Sequence, residues 1–130
     1  MRSAVQQYQQ TNVMTSSGVQ VVVVLYDGAI QAMLLAQESI RGNRPADRAR
    51  FLSRAVNIVT ELSDVLDMQQ GEDIAVSLRR LYDYILAELL HVNLHHQAHR
   101  LDGPVRCLSI LREAWQKLAE SGAAIHARTE

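Results

Sequence analysis

Apolar residues along this chain recur at intervals of three and four, the period of a helix that buries one face. Val22, Leu25, Ala29, Ala32, Ala36 and Ile40 mark one run, and Leu52, Ala55, Ile58 or Val59, Leu62 and Val65 or Leu66 mark a second. Ile74, Leu78, Leu81, Ile85, Leu89 and Val92 form a third seam, and Val105, Leu108, Leu111, Trp115 and Leu118 a fourth. The tetrad Val21-Val22-Val23-Val24 is β-branched and alone favours a strand, but it lies inside the first run, where the helical period overrules it.

The breaks fall between the runs, at Ser16-Ser17-Gly18, Gly42-Asn43-Arg44-Pro45, Gln69-Gln70-Gly71 and Asp102-Gly103-Pro104. Serine suits a helix N-cap, proline a first helical turn, and Glu72 and Asp73 the positive end of a helix dipole. Four amphipathic helices with short connections predict an all-α fold, an antiparallel four-helix bundle over residues 18–121. A mobile N-terminal tail, 1–17, precedes it and a C-terminal tail, 122–130, follows. Folding the third helix back on the second brings Arg79 and Arg80 alongside Glu61 and Asp64, either as pairs or as separately solvated charges.

Two helices carry more apolar residues than a bundle face of about three positions in seven requires. Val19 to Ala36 holds 14 in 18, and Ile74 to Leu94 holds 14 in 21. In the third helix the surplus is a second stripe, Tyr82, Leu86, Leu90 and Leu94, one position on from the seam. Either these two helices are the most buried pair, or part of the surplus is an outward groove for an apolar helix or a second copy of the chain.

The chain has 130 residues, a net charge of -1 and 48% hydrophobic content, which describes one ordinary domain without the Lys and Arg excess of a nucleic-acid binder. Val21 to Tyr26 is its longest apolar run, far short of the roughly 20 residues that span a bilayer. A cytoplasmic protein without membrane insertion is expected. The single cysteine, Cys107, excludes an intramolecular disulfide and reads as a buried small apolar residue.

Candidate chemistry is sparse. His91, His95 and His99 are spaced to share a helix face beside His96, and Glu88-Leu89-Leu90-His91 spells one Glu-x-x-His unit, but a di-iron bundle needs that unit twice. These histidines read as a solvated helix end, with no metal or other cofactor. The sequence shows neither a glycine-rich phosphate loop nor a nucleophile elbow, so no enzyme is expected. Arg41, Arg44, Arg48, Arg50 and Arg54 cluster with only Asp47 among them, as a solvated face or as a surface for an acidic partner.

The order Tyr8-Gln9, Val13, Thr15-Ser16-Ser17, Leu25-Tyr26-Asp27-Gly28-Ala29, Leu81-Tyr82-Asp83-Tyr84-Ile85, Asn93 and Trp115 resembles the FliS family of flagellin-export chaperones. The resemblance runs from about Ala4 to Leu118. It implies a cytoplasmic chaperone that binds the C-terminal region of flagellin, prevents premature polymerisation and helps deliver it to an export-gate component of the flagellar type III apparatus. Partner-binding positions are then expected at Tyr8, Gln9 and Val13 in the tail, at Leu25, Tyr26 and Ala29, and at Arg54, Ala55, Ile58 and Leu62. Tyr82, Leu86, Leu89, Leu90 and Asn93 complete the set. A homodimer is a further expected partner state, and the alternative function is a helical dimerisation or adaptor module without an export client.

Overall fold

A computed structural model describes residues 16–69 and 71–129, and among them there are four long helices and no strand. They are α1 (Ser16–Arg41), α2 (Pro45–Asp64), α3 (Glu72–His95) and α4 (Asp102–Thr129), with a short 3-10 helix, Ala98–Leu101, leading into α4. The valine tetrad lies within α1, as its period requires. α4 runs on to Thr129, through most of the stretch given to a C-terminal tail; Ala119, Glu120, Ala123 and Ala124 are good helix formers that continue the pattern.

The turns follow from local chemistry. After α1, Asn43 adopts a left-handed conformation, φ 55, and the amides of Asn43 and Arg44 donate to the carbonyls of Ile40 and Ser39 at 3.1 and 2.9 Å. This Schellman closure satisfies carbonyls that the helix end leaves open, and Pro45 then starts α2. The left-handed residue is Asn43 rather than Gly42. Gly71 serves before α3 through close approach: a Cβ there would lie 2.6 Å from the Ala75 Cβ and 2.7 Å from the Asp67 carbonyl oxygen. His96, φ 59, ends α3 with its amide donating to Val92 at 2.8 Å.

α1 is the central element, packed against both α2 and α4, while α2 also packs against α3. Ala29, Ala32 and Ala36 keep its buried face slim, and a Cβ on Gly28 would lie 3.2 Å from the Ile58 side chain, so small residues allow the α1–α2 approach. The window of 18 residues in Gly18–Arg41 with mean hydropathy 1.8 is apolar enough to cross a bilayer by length and composition. Here the bundle uses that apolar surface on two sides. Gln37, 4% exposed, donates to the Ala98 carbonyl and to Asp102 Oδ1, both at 2.8 Å, which pins the α3–α4 connection to α1. Arg100 holds the same connection to Glu88 through a two-pronged contact at 3.0 and 3.2 Å, and Arg112 joins α4 to Asp27 of α1 at 2.8 Å.

The core face of α3 is Ala75, Leu78, Tyr82, Ile85, Leu89 and Val92, all buried. Two seam positions need correction, because Tyr82 faces inward beside a half-buried Leu81, and Ala75 faces inward while Ile74 is 72% exposed. The second stripe is likewise not all outward. Tyr82 is buried, Leu86 half-buried, and Leu90 and Leu94 are 60% and 65% exposed. The reason is helical geometry: each step of four residues advances about 40° beyond a full turn, so a strict four-residue stripe winds from core to solvent. In α4, Leu118 of the expected seam is 53% exposed, and Cys107 is half-buried rather than buried. No ion pair forms between Arg79 or Arg80 and Glu61 or Asp64; among the described residues the pairs instead join Arg44, Arg50, Arg100 and Arg112 to other acids.

At mid-core the hydroxyls of the fully enclosed Tyr26 and Tyr82 hydrogen-bond to each other, with the rings edge-on at 6.4 Å and Trp115 against Tyr26. Burial pushes the Tyr26 phenol above its ordinary value of 10.0, and contacts with Tyr82 and Trp115 offset part of that rise. Tyr82 is raised further, first by burial and then by the charge and hydrogen bond of Tyr26. Above pH 10 the unfolded chain therefore releases protons that the fold retains, so stability falls as pH rises. Thermal melts followed by circular dichroism should show that fall beginning near pH 10. Tyr82→Phe should make it shallower while costing about 1 kcal/mol at neutral pH; equal alkaline slopes in both proteins would refute the assignment.

Candidate functional site

The ends of three helices do not close over one another, and an apolar groove of about 320 Å³ lies between them. One wall comes from the first two turns of α1, with Gly18, Val19 and Val22, together with Trp115 of α4. The facing wall is the end of α2 and the connection beyond it, Leu62, Val65, Leu66 and Asp67, and the start of α3, Gly71, Ile74 and Ala75. Leu78 and Tyr82 belong to the deeper lining. The groove follows from local sequence: α3 turns alanine inward at position 75, where a larger side chain would fill the gap, and turns Ile74 outward to its edge.

Every lining residue except Asp67 is apolar, glycine, or an aromatic with one polar atom. Such a surface gains from excluding water, by about 25 cal/mol per Å² of apolar area covered, and it offers few directional polar contacts. It can hold an amphipathic segment by its apolar face. Nothing in this arrangement resembles a nucleophile–base pair, and the enclosed phenols are held protonated by burial.

Of the expected partner-binding residues, Leu62 and Tyr82 line this groove, and Tyr26 lies directly behind Tyr82. Ala29, Ala55 and Leu89 are enclosed in the core, where they set helix spacing. Leu25, Ile58 and Leu86 are half-buried against the core, whereas Arg54, Leu90 and Asn93 are exposed on the flanks of α2 and α3. Tyr8, Gln9 and Val13 lie outside the described residues. Val19, Val65, Leu66 and Ile74 were not among the expected partner-binding positions. The available signal was the Ile74-Ala75 step, where a small residue takes the inward position.

The histidines gather elsewhere, at the end of α3. The rings of His91 and His95 are 4.5 Å apart, and His91 Nε2 lies 3.1 Å from Gln97 Oε1. Glu88 of the Glu-x-x-His unit is engaged by Arg100. Among the described residues no group of three or more His, Cys, Asp or Glu is placed to hold a metal ion.

With the groove described, comparison with known proteins adds its context. Residues 1–122 match the family described as "Flagellar protein FliS". The flagellar secretion chaperone FliS of Salmonella typhimurium is 32% identical over 111 residues, 85% of this chain and 82% of that protein. The flagellar secretion chaperone FliS of Vibrio cholerae is 28% identical over 123 residues, 91% of this chain and 90% of that one. A solved structure described as "Crystal structure of flagellar chaperone from bacteria" superposes with a TM-score of 0.76 at 23% identity, covering 89% of this chain and 94% of its own. That likeness shows a shared fold.

Because the chain's one tryptophan lines the groove, an apolar dye entering it should change Trp115 fluorescence. Ile74→Asp should reduce that dye response while leaving the melting temperature nearly unchanged, since an exposed substitution usually stays within about 0.5 kcal/mol. Ile85→Asp, at 0% exposure, should unfold the protein by placing a charge in the core. An Ile74→Asp protein that melts like Ile85→Asp would show that the groove is part of the core.

Proposed function

The chain belongs to the FliS family of flagellar secretion chaperones, and on that premise we propose that it binds the C-terminal segment of flagellin in the apolar groove. The observation that carries this reading is the groove itself, an open surface of Val19, Val22, Leu66 and Ile74 that the bundle leaves uncovered. A segment that polymerises through amphipathic helices must hide its apolar face until export, and this surface has the matching character. Binding orders the client, so an ordering cost of about 2–5 kcal/mol is subtracted from the gross interaction. The chaperone acts stoichiometrically, in the cytoplasm, keeps flagellin from assembling early and presents it to an export-gate component. No catalytic step enters this cycle.

A client helix longer than the groove needs further apolar contact. Leu86, Leu90 and the neighbouring Asn93 on α3, and Arg54 and Ile58 on α2, are proposed as that second zone. Tyr8, Gln9 and Val13 are proposed to contact the same client, because they precede Gly18 and Val19 at the groove wall. The enclosed residues Tyr26, Ala29, Ala55 and Leu89 act through the shape of the core.

The test is calorimetric titration of a flagellin C-terminal peptide beside thermal melting of each variant. Leu66→Asp and Ile74→Asp should weaken binding by about 2 kcal/mol or more, roughly thirtyfold, as at the centre of a desolvated contact. Leu90→Asp should cost less, and His91→Gln with His95→Gln and His99→Gln should bind as the unaltered protein does. Unchanged affinity in Leu66→Asp and Ile74→Asp, with folding retained, would exclude the groove as the flagellin site. A protein that dimerises through this surface and ignores the peptide would instead be the adaptor module.

A further inference from the structure

Charge is distributed along α2 against the preference of its own dipole. The segment from Arg41 to Arg54 contains five arginines and one acid, a net of +4, in a chain whose total is -1. Residues 61–73, at the opposite end of the helix and beyond it, contain Glu61, Asp64, Asp67, Glu72 and Asp73 and no basic residue, a net of -5. A helix N-terminus favours acids and a C-terminus favours bases; Arg41 closing α1 and Glu72 and Asp73 opening α3 obey this, whereas within α2 Arg44 and Arg48 stand at the start and Glu61 and Asp64 at the end, the unfavourable way. The helix dipole does not account for that placement within α2.

The basic end is also incompletely satisfied from within. Asp47 is shared between Arg44 and Arg50, each at 3.5 Å, and Arg50 also stacks over the Phe51 ring at 4.7 Å. Arg48 Nε is buried without a hydrogen-bond partner, alone in that respect among side-chain nitrogens and oxygens of the described residues. Arg44 and Arg48 form one row a helical turn apart, with Arg50 beside it. We infer that this end of α2 docks an acidic helix of a partner protein whose glutamates or aspartates recur at four-residue spacing, at a site separate from the flagellin groove.

Two features support that occupant. The spacing of Arg44 and Arg48 equals the spacing of side chains one turn apart on a facing helix. The patch's cations are arginines, whose planar fork matches a carboxylate through two parallel hydrogen bonds. Arg48 is near the start of α2 and Leu66 lies just beyond its other end, so a helix docked on Arg44 and Arg48 leaves the groove itself open.

The probe is a labelled 20-residue Ala/Glu helical peptide with glutamate at four-residue spacing, titrated against the full chain by fluorescence anisotropy. Binding should weaken at least tenfold in Arg44→Gln/Arg48→Gln and less than twofold in Arg79→Gln/Arg80→Gln, arginines outside the patch. The first variant should melt no lower than the parent, because it removes cations from a helix N-terminus, and it should keep full affinity for the flagellin peptide. A same-composition peptide with clustered glutamates should bind more weakly. Equal losses in both double variants, or no loss in Arg44→Gln/Arg48→Gln, would overturn the inference. It would also be overturned if phosphatidylserine vesicles bound through these arginines while the helical peptide did not, since the partner would then be an anionic membrane.

Discussion

One helix, α1, has to be apolar on two sides because α2 and α4 both pack against it. Its alanines and Gly28 admit α2 closely, Tyr26 reaches across to Tyr82 and Trp115, and Gln37 and Asp27 supply the polar ties to the connection before α4 and to α4 itself. The same demand explains why so much of α1 is hydrophobic. A helix with one buried face would balance that face with a polar one, whereas α1 has few polar residues, of which Gln37 and Ser39 are themselves buried. Val24 and Leu34, 67% and 48% exposed, show where the apolar content overruns what the neighbours cover.

The groove is the consequence at one end of the bundle. Its two walls belong to different parts of the chain, α1 with α4 on one side and the α2–α3 connection on the other. The connection is held close by Gly71, whose missing Cβ lets the backbone pass Ala75. Two residues without bulk therefore stand where a complete core would place side chains. The omission leaves Ile74, Leu66 and Val19 around a space, an arrangement that sacrifices some burial in exchange for a surface able to receive another chain.

The architecture was legible in the sequence because helix periodicity, caps and breaks all agreed, and such agreement across levels specifies a fold. The groove was only half legible. Counting showed that α3 has surplus apolar residues, but deciding which of two adjacent residues faces inward depends on helix rotation, and rotation is fixed by tertiary contacts. Tyr82 turns in, and Tyr26 supplies the partner that its buried hydroxyl requires, while Leu81 beside it is half-buried. Once Tyr82 is inside, the winding of the helix carries Leu90 and Leu94 outside and leaves Ile74, not Ala75, at the groove edge. One buried hydrogen bond thus accompanies the register of the whole helix, a coupling between distant residues that spacing within a single helix does not contain.

Electrostatics divides the molecule along the same axis. The groove end is bordered by the acids of residues 61–73, and the opposite end of α2 carries the arginines. Surface ion pairs across helices contribute little, about 0–1 kcal/mol each, and the fold forms none between Arg79 or Arg80 and the acids of α2. Charges so placed have modest effects on folding and larger ones on encounter, because separated patches of one sign steer approaching chains by their own charge. An apolar client segment gains little from the arginine end, and an acidic helix is repelled from the groove end. Apolar and cationic surfaces therefore lie toward opposite ends of one bundle, and each selects by its own chemistry what can approach it.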